Sequence, residues 1–196
     1  MTFGRSGRRQ VLFASVLLPL GFGPKLRARA LLAATPACDA AAHPTRSETE
    51  GPFFRPRSPE RASLVEPGLS GAPLVLTGRV LSTACQPVAG ALLDFWQADA
   101  NGAYDNAGFR LRGHQFADAA GRYRLTTVVP GLYPGRTRHI HLKVQAPHRR
   151  VLTTQLYFPA EPHNLADFLF REDLLITLET AEGSASGRFD LVLDLG

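Results

Sequence analysis

An all-β fold, an antiparallel β-sandwich with long loops and at most one or two short helices, is what this 196-residue sequence predicts. Three observations carry that expectation. Apolar and polar residues alternate with period two in several short segments beyond residue 73, as half-buried strands require. Turn residues separate those segments at short intervals, with 18 Gly and 15 Pro in the chain. No long stretch shows the 3.6-residue periodicity of an amphipathic helix. Hydrophobic residues make up 44% and charged residues 20%, a globular composition at a length that suits one ordinary domain.

Residues 1–30 read as a twin-arginine-like export signal. Arg8-Arg9 precedes an apolar run of thirteen residues, VLFASVLLPLGFG (11–23). A membrane span needs about 20 apolar residues, so the run suits a signal peptide better than an anchor. The small residues of RARALLAATPA (27–37) offer a cleavage region, and cleavage is expected before about residue 40. An ordinary signal peptide with a chance Arg pair is the plainer alternative. The expected location is therefore periplasmic or extracellular, with no membrane association after signal removal.

Charge supports the same division. The chain holds 22 Lys+Arg against 17 Asp+Glu. Six of the positives, Arg5, Arg8, Arg9, Lys25, Arg27 and Arg29, lie in the first thirty residues, which contain no acid. The remaining 16 basic groups face all 17 acidic ones, so the body is close to neutral and a nucleic-acid partner is not expected. The two cysteines, Cys38 and Cys85, form one disulfide in an oxidising compartment, or stay as separate thiols, or leave Cys38 to carry a lipid.

Residues 31–71 are expected to be an extended, loop-rich N-terminal segment. Residues 72–196 form the β-sandwich domain. Its strands are expected at LVLTGRVLS (74–82), VAGALLDFWQA (88–98), RYRLTTVV (122–129), HIHLKV (139–144), VLTTQLYF (151–158) and RFDLVLDL (188–195). The breaks fall at Gln86-Pro87, Asn101-Gly102, the DAAG turn at 118–121 and Pro130-Gly131. One short helix, capped by Asn164, is expected over residues 164–171.

The chemistry-bearing pattern is His139-Ile140-His141. On a strand, residues i and i+2 share a face, so both imidazoles project together while Ile140, Leu142 and Val144 take the core side. Two such histidines make a metal half-site, or simply the polar face of a half-buried strand. Tyr133 lies in PGLYPGR, a stiff loop that opens into the histidine strand, and Tyr104 follows the Asn101-Gly102 turn. Phenolate is a hard oxygen donor that suits a ferric ion, and a trivalent cation would hold it ionised at neutral pH. Taken singly, each tyrosine reads as a half-buried aromatic. The other histidines, 43, 114, 148 and 163, read as surface or loop residues.

As a set, TEGPFF (49–54), LTGRVL (76–81), GALLDFWQADANGAYD (90–105), FADAAGRYRLTTVVPGLYP (116–134), RHIHLKV (138–144) and TTQLYFP (153–159) resemble the intradiol ring-cleavage dioxygenases, a non-haem iron family that cleaves catechols. The resemblance covers about residues 47–163. It implies a Fe(III) cofactor held by Tyr104, Tyr133, His139 and His141, with a small catecholic substrate and O2 as partners. It implies that Tyr133 acts as a general base, that Arg136 stabilises developing negative charge, and that Gln155 orients the substrate. The expected product is a muconate-type diacid. Homo-oligomers are compatible with this reading. A secreted β-sandwich binding module without metal catalysis, or an enzyme using copper or zinc on the same two histidines, are the rival readings.

Overall fold

The computed structural model describes residues 1–2 and 43–196. The export signal and Cys38 lie outside the described residues. Cys85 is disulfide-bonded.

Among the described residues nine strands follow in order: β1 (Pro73–Ser82), β2 (Leu92–Trp96), β3 (Arg112–Phe116), β4 (Arg122–Val128), β5 (His139–Gln145), β6 (Val151–Tyr157), β7 (Thr177–Ala181), β8 (Ser184–Arg188) and β9 (Leu191–Leu193). They form two sheets. One has the order β3-β2-β5-β6 and is antiparallel throughout. The other runs β4-β1-β8-β7, with β9 continuing alongside the end of β1. β1 pairs antiparallel to β4 but parallel to both β8 and β9. The core joins both sheets: Leu93, Phe95, Ile140, Leu142, Val144 and Leu156 from the first, Leu74, Leu76, Val80, Leu125 and Leu191 from the second. Alternation is the cause, since each strand presents every second side chain to that interior.

The expected strand at 188–195 is two strands. The chain steps outward at Phe189 and Asp190, where the Tyr123 hydroxyl donates to the Phe189 carbonyl (2.8 Å) and the Asp190 carboxylate accepts from the Arg79 N–H (2.9 Å). Gly78 makes the step fit, because a Cβ there would lie 1.8 Å from the Phe189 oxygen. The β7–β8 hairpin and β3 carry weak alternation and do not appear among the expected strands. β3 (RGHQF) holds Arg and His where an apolar residue would have signalled a strand.

The expected helix over 164–171 is corrected to one 3-10 turn at Asn164–Ala166, with a second turn at Glu172–Leu174. Asn164 does not cap it. Its side chain accepts from the Thr137 hydroxyl (2.7 Å) and donates to the Phe158 carbonyl (2.9 Å), so tertiary partners have taken the group that a helix N-terminus would use. His114 is likewise no loop residue. It sits half-buried on β3, with Nδ1 donating to the Ser58 carbonyl (2.8 Å).

Candidate metal centre

The non-core face of the four-stranded sheet carries the site. Antiparallel register sets Arg112, Trp96, His141 and Gln155 side by side across all four strands, and His139 opposite Tyr157 in the next row. This face is covered. Residues 44–57 run across it, held by the Glu48 N–H donating to the Thr153 carbonyl (2.8 Å) and by the Lys143–Glu50 ion pair (2.5 Å). His139 and His141 are therefore buried on the side that alternation alone would have left to solvent.

The two imidazoles meet through Nε2, 3.1 Å apart, and the Tyr104 hydroxyl lies 3.3 Å from His139 Nε2. His139 Nδ1 donates to the Thr137 carbonyl (2.6 Å), which fixes the tautomer and leaves Nε2 with a free lone pair aimed at the other donors. Burial pushes the His139 pKa down to about 4, and burial with His139 beside it lowers that of His141 well below the ordinary imidazole range. Both rings are neutral and ready to donate. Burial also raises the Tyr104 phenol above its usual value, despite the nearby Arg136 and Arg112. Without a cation it stays protonated.

His141 is held differently from His139. Its ring stacks on the Trp96 indole at 4.8 Å and 8°, while its Nδ1 is buried without a hydrogen-bond partner among the described residues. Gly51, at φ +70°, lies against the ring edge, where a Cβ would approach His141 Cε1 to 3.4 Å. Phe53 stacks on Tyr104 at 4.2 Å and meets the Tyr133 ring edge-on at 5.2 Å.

The two tyrosines come from different loops that touch. Asp99 accepts from the N–H groups of Asn101 (2.8 Å) and Ala103 (3.0 Å), closing the turn before Tyr104. After it, Asp105 accepts from Ala107, Gly108 and Arg110 N–H groups, and those bonds bring its pKa down to about 2. Buried Arg112 ties the same loop down by donating to the Phe53 and Asp105 carbonyls (2.6 and 2.9 Å). The Tyr133 loop abuts it: the Gly131 N–H donates to the Asp99 carbonyl (2.7 Å), and the Tyr104 and Tyr133 rings lie 5.8 Å apart, edge to face.

Arg136 is aimed by its neighbours. Nε donates to both Asp167 oxygens (3.1 and 2.9 Å), and Nη2 donates to Gln155 Oε1 (2.6 Å). Gln155 Nε2 donates to the Thr49 carbonyl (2.9 Å), so both ends of its amide are engaged. Asp167 also accepts from the Thr137 and Leu169 N–H groups (2.8 and 2.9 Å). Asp167 and Trp96 were not singled out by the sequence. Trp96 stood within the DFWQA motif as a visible signal, whereas Asp167 lies 31 positions from the arginine it holds and carries none.

The donor set fits a hard or borderline cation. Two ligand bonds of roughly 2.1 Å at a right angle span about 3 Å, close to the separations around His139 Nε2. Among the described residues, no group of three His, Cys, Asp or Glu side chains offers an alternative metal site. Imidazole and phenolate together exclude a soft-metal preference.

Residues 49–195 match the family model described as "Dioxygenase". The protocatechuate 3,4-dioxygenase beta chain of Burkholderia cepacia is 36% identical over 63% of this chain and 65% of its own length. The catechol 1,2-dioxygenase of a Pseudomonas species (strain EST1001) is 29% identical over 64% of this chain and 51% of its own. This chain thus spans about half to two thirds of those relatives. The solved dioxygenase domain of a dioxygenase carbohydrate-binding protein fusion from Streptomyces sp. SirexAA-E is 56% identical, with a TM-score of 0.77, over 79% of this chain and 100% of that one.

Proposed function

The chain belongs to the intradiol ring-cleavage dioxygenase family, and from that membership we propose that it is a Fe(III)-dependent enzyme that inserts O2 between the two hydroxylated carbons of a catechol, giving a muconate-type diacid. The observation that carries the reading is His139 Nε2, a fixed lone pair 3.1 Å from His141 Nε2 and 3.3 Å from the Tyr104 hydroxyl. Tyr104, Tyr133, His139 and His141 would hold the ion. Bound there, ferric iron would supply Lewis acidity toward the diol oxygens and draw electron density from the ring, readying it for dioxygen.

The protein's own groups do the rest. Tyr133 Oη, which the bound ion would hold ionised, would take a proton from a diol hydroxyl as the substrate enters. The Arg136 guanidinium offers a fixed positive charge where negative charge develops on the substrate, and its ion pair with Asp167 keeps it from swinging away. Gln155 works through Arg136: its Oε1 receives Nη2, and its Nε2 is anchored on Thr49. Phe53, Phe54 and Trp96 wall the cluster with apolar surface that excludes water. Arg8-Arg9 and the following apolar run support export through the twin-arginine route.

Oxygen uptake by the iron-loaded protein against a panel of catechols, with the visible spectrum recorded in parallel, tests the proposal. Colour from ferric tyrosinate together with ring-cleaved diacid is expected. A colourless protein that takes up no oxygen with any catechol refutes it and leaves a binding module.

A further inference from the structure

The outward face of the five-stranded sheet carries chemistry that the metal centre does not use. Alternation along β1, β4 and β8 turns Leu76, Leu125 and Ala185 to the core and Arg79, Arg122, Arg124 and Arg188 to the other side. Register gathers those four. Arg79 stands opposite Arg122, while Arg124 and Arg188 flank Thr77 from either side. All four line one cleft of about 410 Å³, together with Thr77, Gln115 and Asp118 among others. That volume is in the range of small-ligand sites.

Only half of this charge is neutralised. Arg122 Nε donates to Asp118 (2.7 Å) and Arg188 Nη2 to Asp190 (2.7 Å). Both carboxylates are pinned in turn, Asp118 by the Ala120 and Arg122 N–H groups (2.9 and 2.8 Å) and Asp190 by the Arg79 N–H (2.9 Å). The Arg79 and Arg124 guanidiniums have no acceptor among the described residues. Gln115 adds an unanswered donor to the same cleft. It is 9% exposed, its Oε1 accepts from the Arg124 N–H (3.3 Å), and its Nε2 is buried without a hydrogen-bond partner among the described residues. Adjacent like charges repel across strands, and an unpaired buried donor is costly, so an anionic oxygen ligand would relieve both.

We infer that this cleft binds a small dicarboxylate, one carboxylate on the Arg79 guanidinium and the other on Arg124, with Gln115 Nε2 donating to an oxygen of the second. A guanidinium fork takes a carboxylate through two parallel N–H bonds. Arg79 and Arg124 are diagonal neighbours on paired strands, about 7–8 Å apart at Cα, a span that a short chain with a carboxylate at each end covers. The neutralised pairs stand beside the free ones, so the uncompensated charge is confined to one cleft and suits a small anion rather than a polymer. The muconate-type diacid of the proposed reaction is of this class. That identity rests on the proposed function, whereas the site itself does not. The cleft and the metal centre lie on the non-core faces of different sheets, with the core between them, so filling one leaves the other open.

Calorimetric titration of metal-free and iron-loaded protein tests it, with cis,cis-muconate, sorbate (the same carbon chain with one carboxylate), inorganic phosphate and polygalacturonate as probes. Muconate is expected to bind metal-free protein at least tenfold more tightly than sorbate or phosphate, and iron should change that affinity by less than about twofold. Arg79→Gln/Arg124→Gln should weaken muconate about tenfold. Gln115→Glu keeps both arginines and an acceptor for the Arg124 N–H, and should also weaken it about tenfold. Arg149→Gln/Arg150→Gln, which removes the same charge from an exposed pair elsewhere, should leave it within about twofold. Muconate no tighter than sorbate, an affinity untouched by the cleft variants, or equal loss in the Arg149/Arg150 variant overturns the inference. So does saturable binding of phosphate alone or of polygalacturonate alone. Catechol cleavage by iron-loaded protein that does not bind the diacid in this cleft overturns the inference and leaves the dioxygenase reading standing. Diacid binding without cleavage of any catechol does the reverse.

Discussion

Gly102 and Leu132 are in such close approach that a Cβ on Gly102 would lie 2.0 Å from the Leu132 carbonyl oxygen. This contact presses the Tyr104 loop onto the Tyr133 loop. Gly102 is also at φ +84°, a conformation that other residues adopt only with strain. One glycine thus decides whether the two tyrosines, 29 positions apart, can serve one site.

Gly102→Ala is therefore expected to lose stability by about 1–2 kcal/mol from backbone strain alone, and to bind iron at least tenfold more weakly because the loops must separate. Gly90→Ala is the comparison. Gly90 also has positive φ (+67°) but faces open space, so it should lose stability and keep iron. Urea unfolding and iron content per chain measure both. Equal iron loss in the two variants would show that the loop contact is irrelevant.

Asp167→Asn should destabilise the protein by about 3 kcal/mol, the usual effect of removing one partner from a buried ion pair. Asp167 is 1% exposed at its side chain and Arg136 13%. Although burial opposes ionisation, the Thr137 and Leu169 N–H groups and Arg136 together hold the carboxyl below its usual range. With Arg136 released, kcat should fall by more than KM rises. A variant of unchanged kcat would mean that Arg136 needs no aiming.

The metal-free protein should lose stability on mild acidification. The His139 pKa falls from 6.5 in the unfolded chain to about 4 in the folded one, chiefly through burial. Between those values the unfolded state binds more protons, so stability rises with pH and drops as pH falls. From pH 7 to pH 5 the expected loss is about 2 kcal/mol from this residue. Urea midpoints at the two pH values read it, and His139→Gln should flatten the dependence. A midpoint that holds steady in the parent would contradict neutral burial.

Colour should report the donors separately. Tyr104→Phe and Tyr133→Phe each remove one phenolate and should weaken the visible absorption of iron-loaded protein, by about half if the two contribute equally. His141→Ala should lose iron and colour together, since it removes one of the two imidazole donors of the proposed ligand set. Full colour in Tyr104→Phe would remove that residue from the ligand set.

Lys substitution of both Arg8 and Arg9 should strand the precursor in the cytoplasm. Fractionation with an antibody to the β domain checks it. Export at the parent level would exclude the twin-arginine route while leaving another export route open.

The local pattern was legible. Period-two alternation set His139 and His141 on one strand face and Ile140, Leu142 and Val144 on the other, and that division is what the sheet shows. Prolines and glycines around Tyr133 and the turn before Tyr104 marked both loops, because turn chemistry depends on a few adjacent residues. Strands with weak alternation, β3 and β7–β8, carry no such local signal: their pairing is stabilised by neighbours rather than by their own pattern.

By itself, then, the sequence determined which side chains a strand or turn would present, since φ/ψ preference and side-chain period act over two to four residues. Only the tertiary structure decided what those side chains meet. It buried the histidines under residues 44–57, joined the tyrosine loops at Gly102, engaged both ends of Gln155 and brought Asp167 to Arg136. Each of these contacts links segments tens of residues apart, and such pairing depends on the register and closure of whole sheets, which no short stretch of chain encodes.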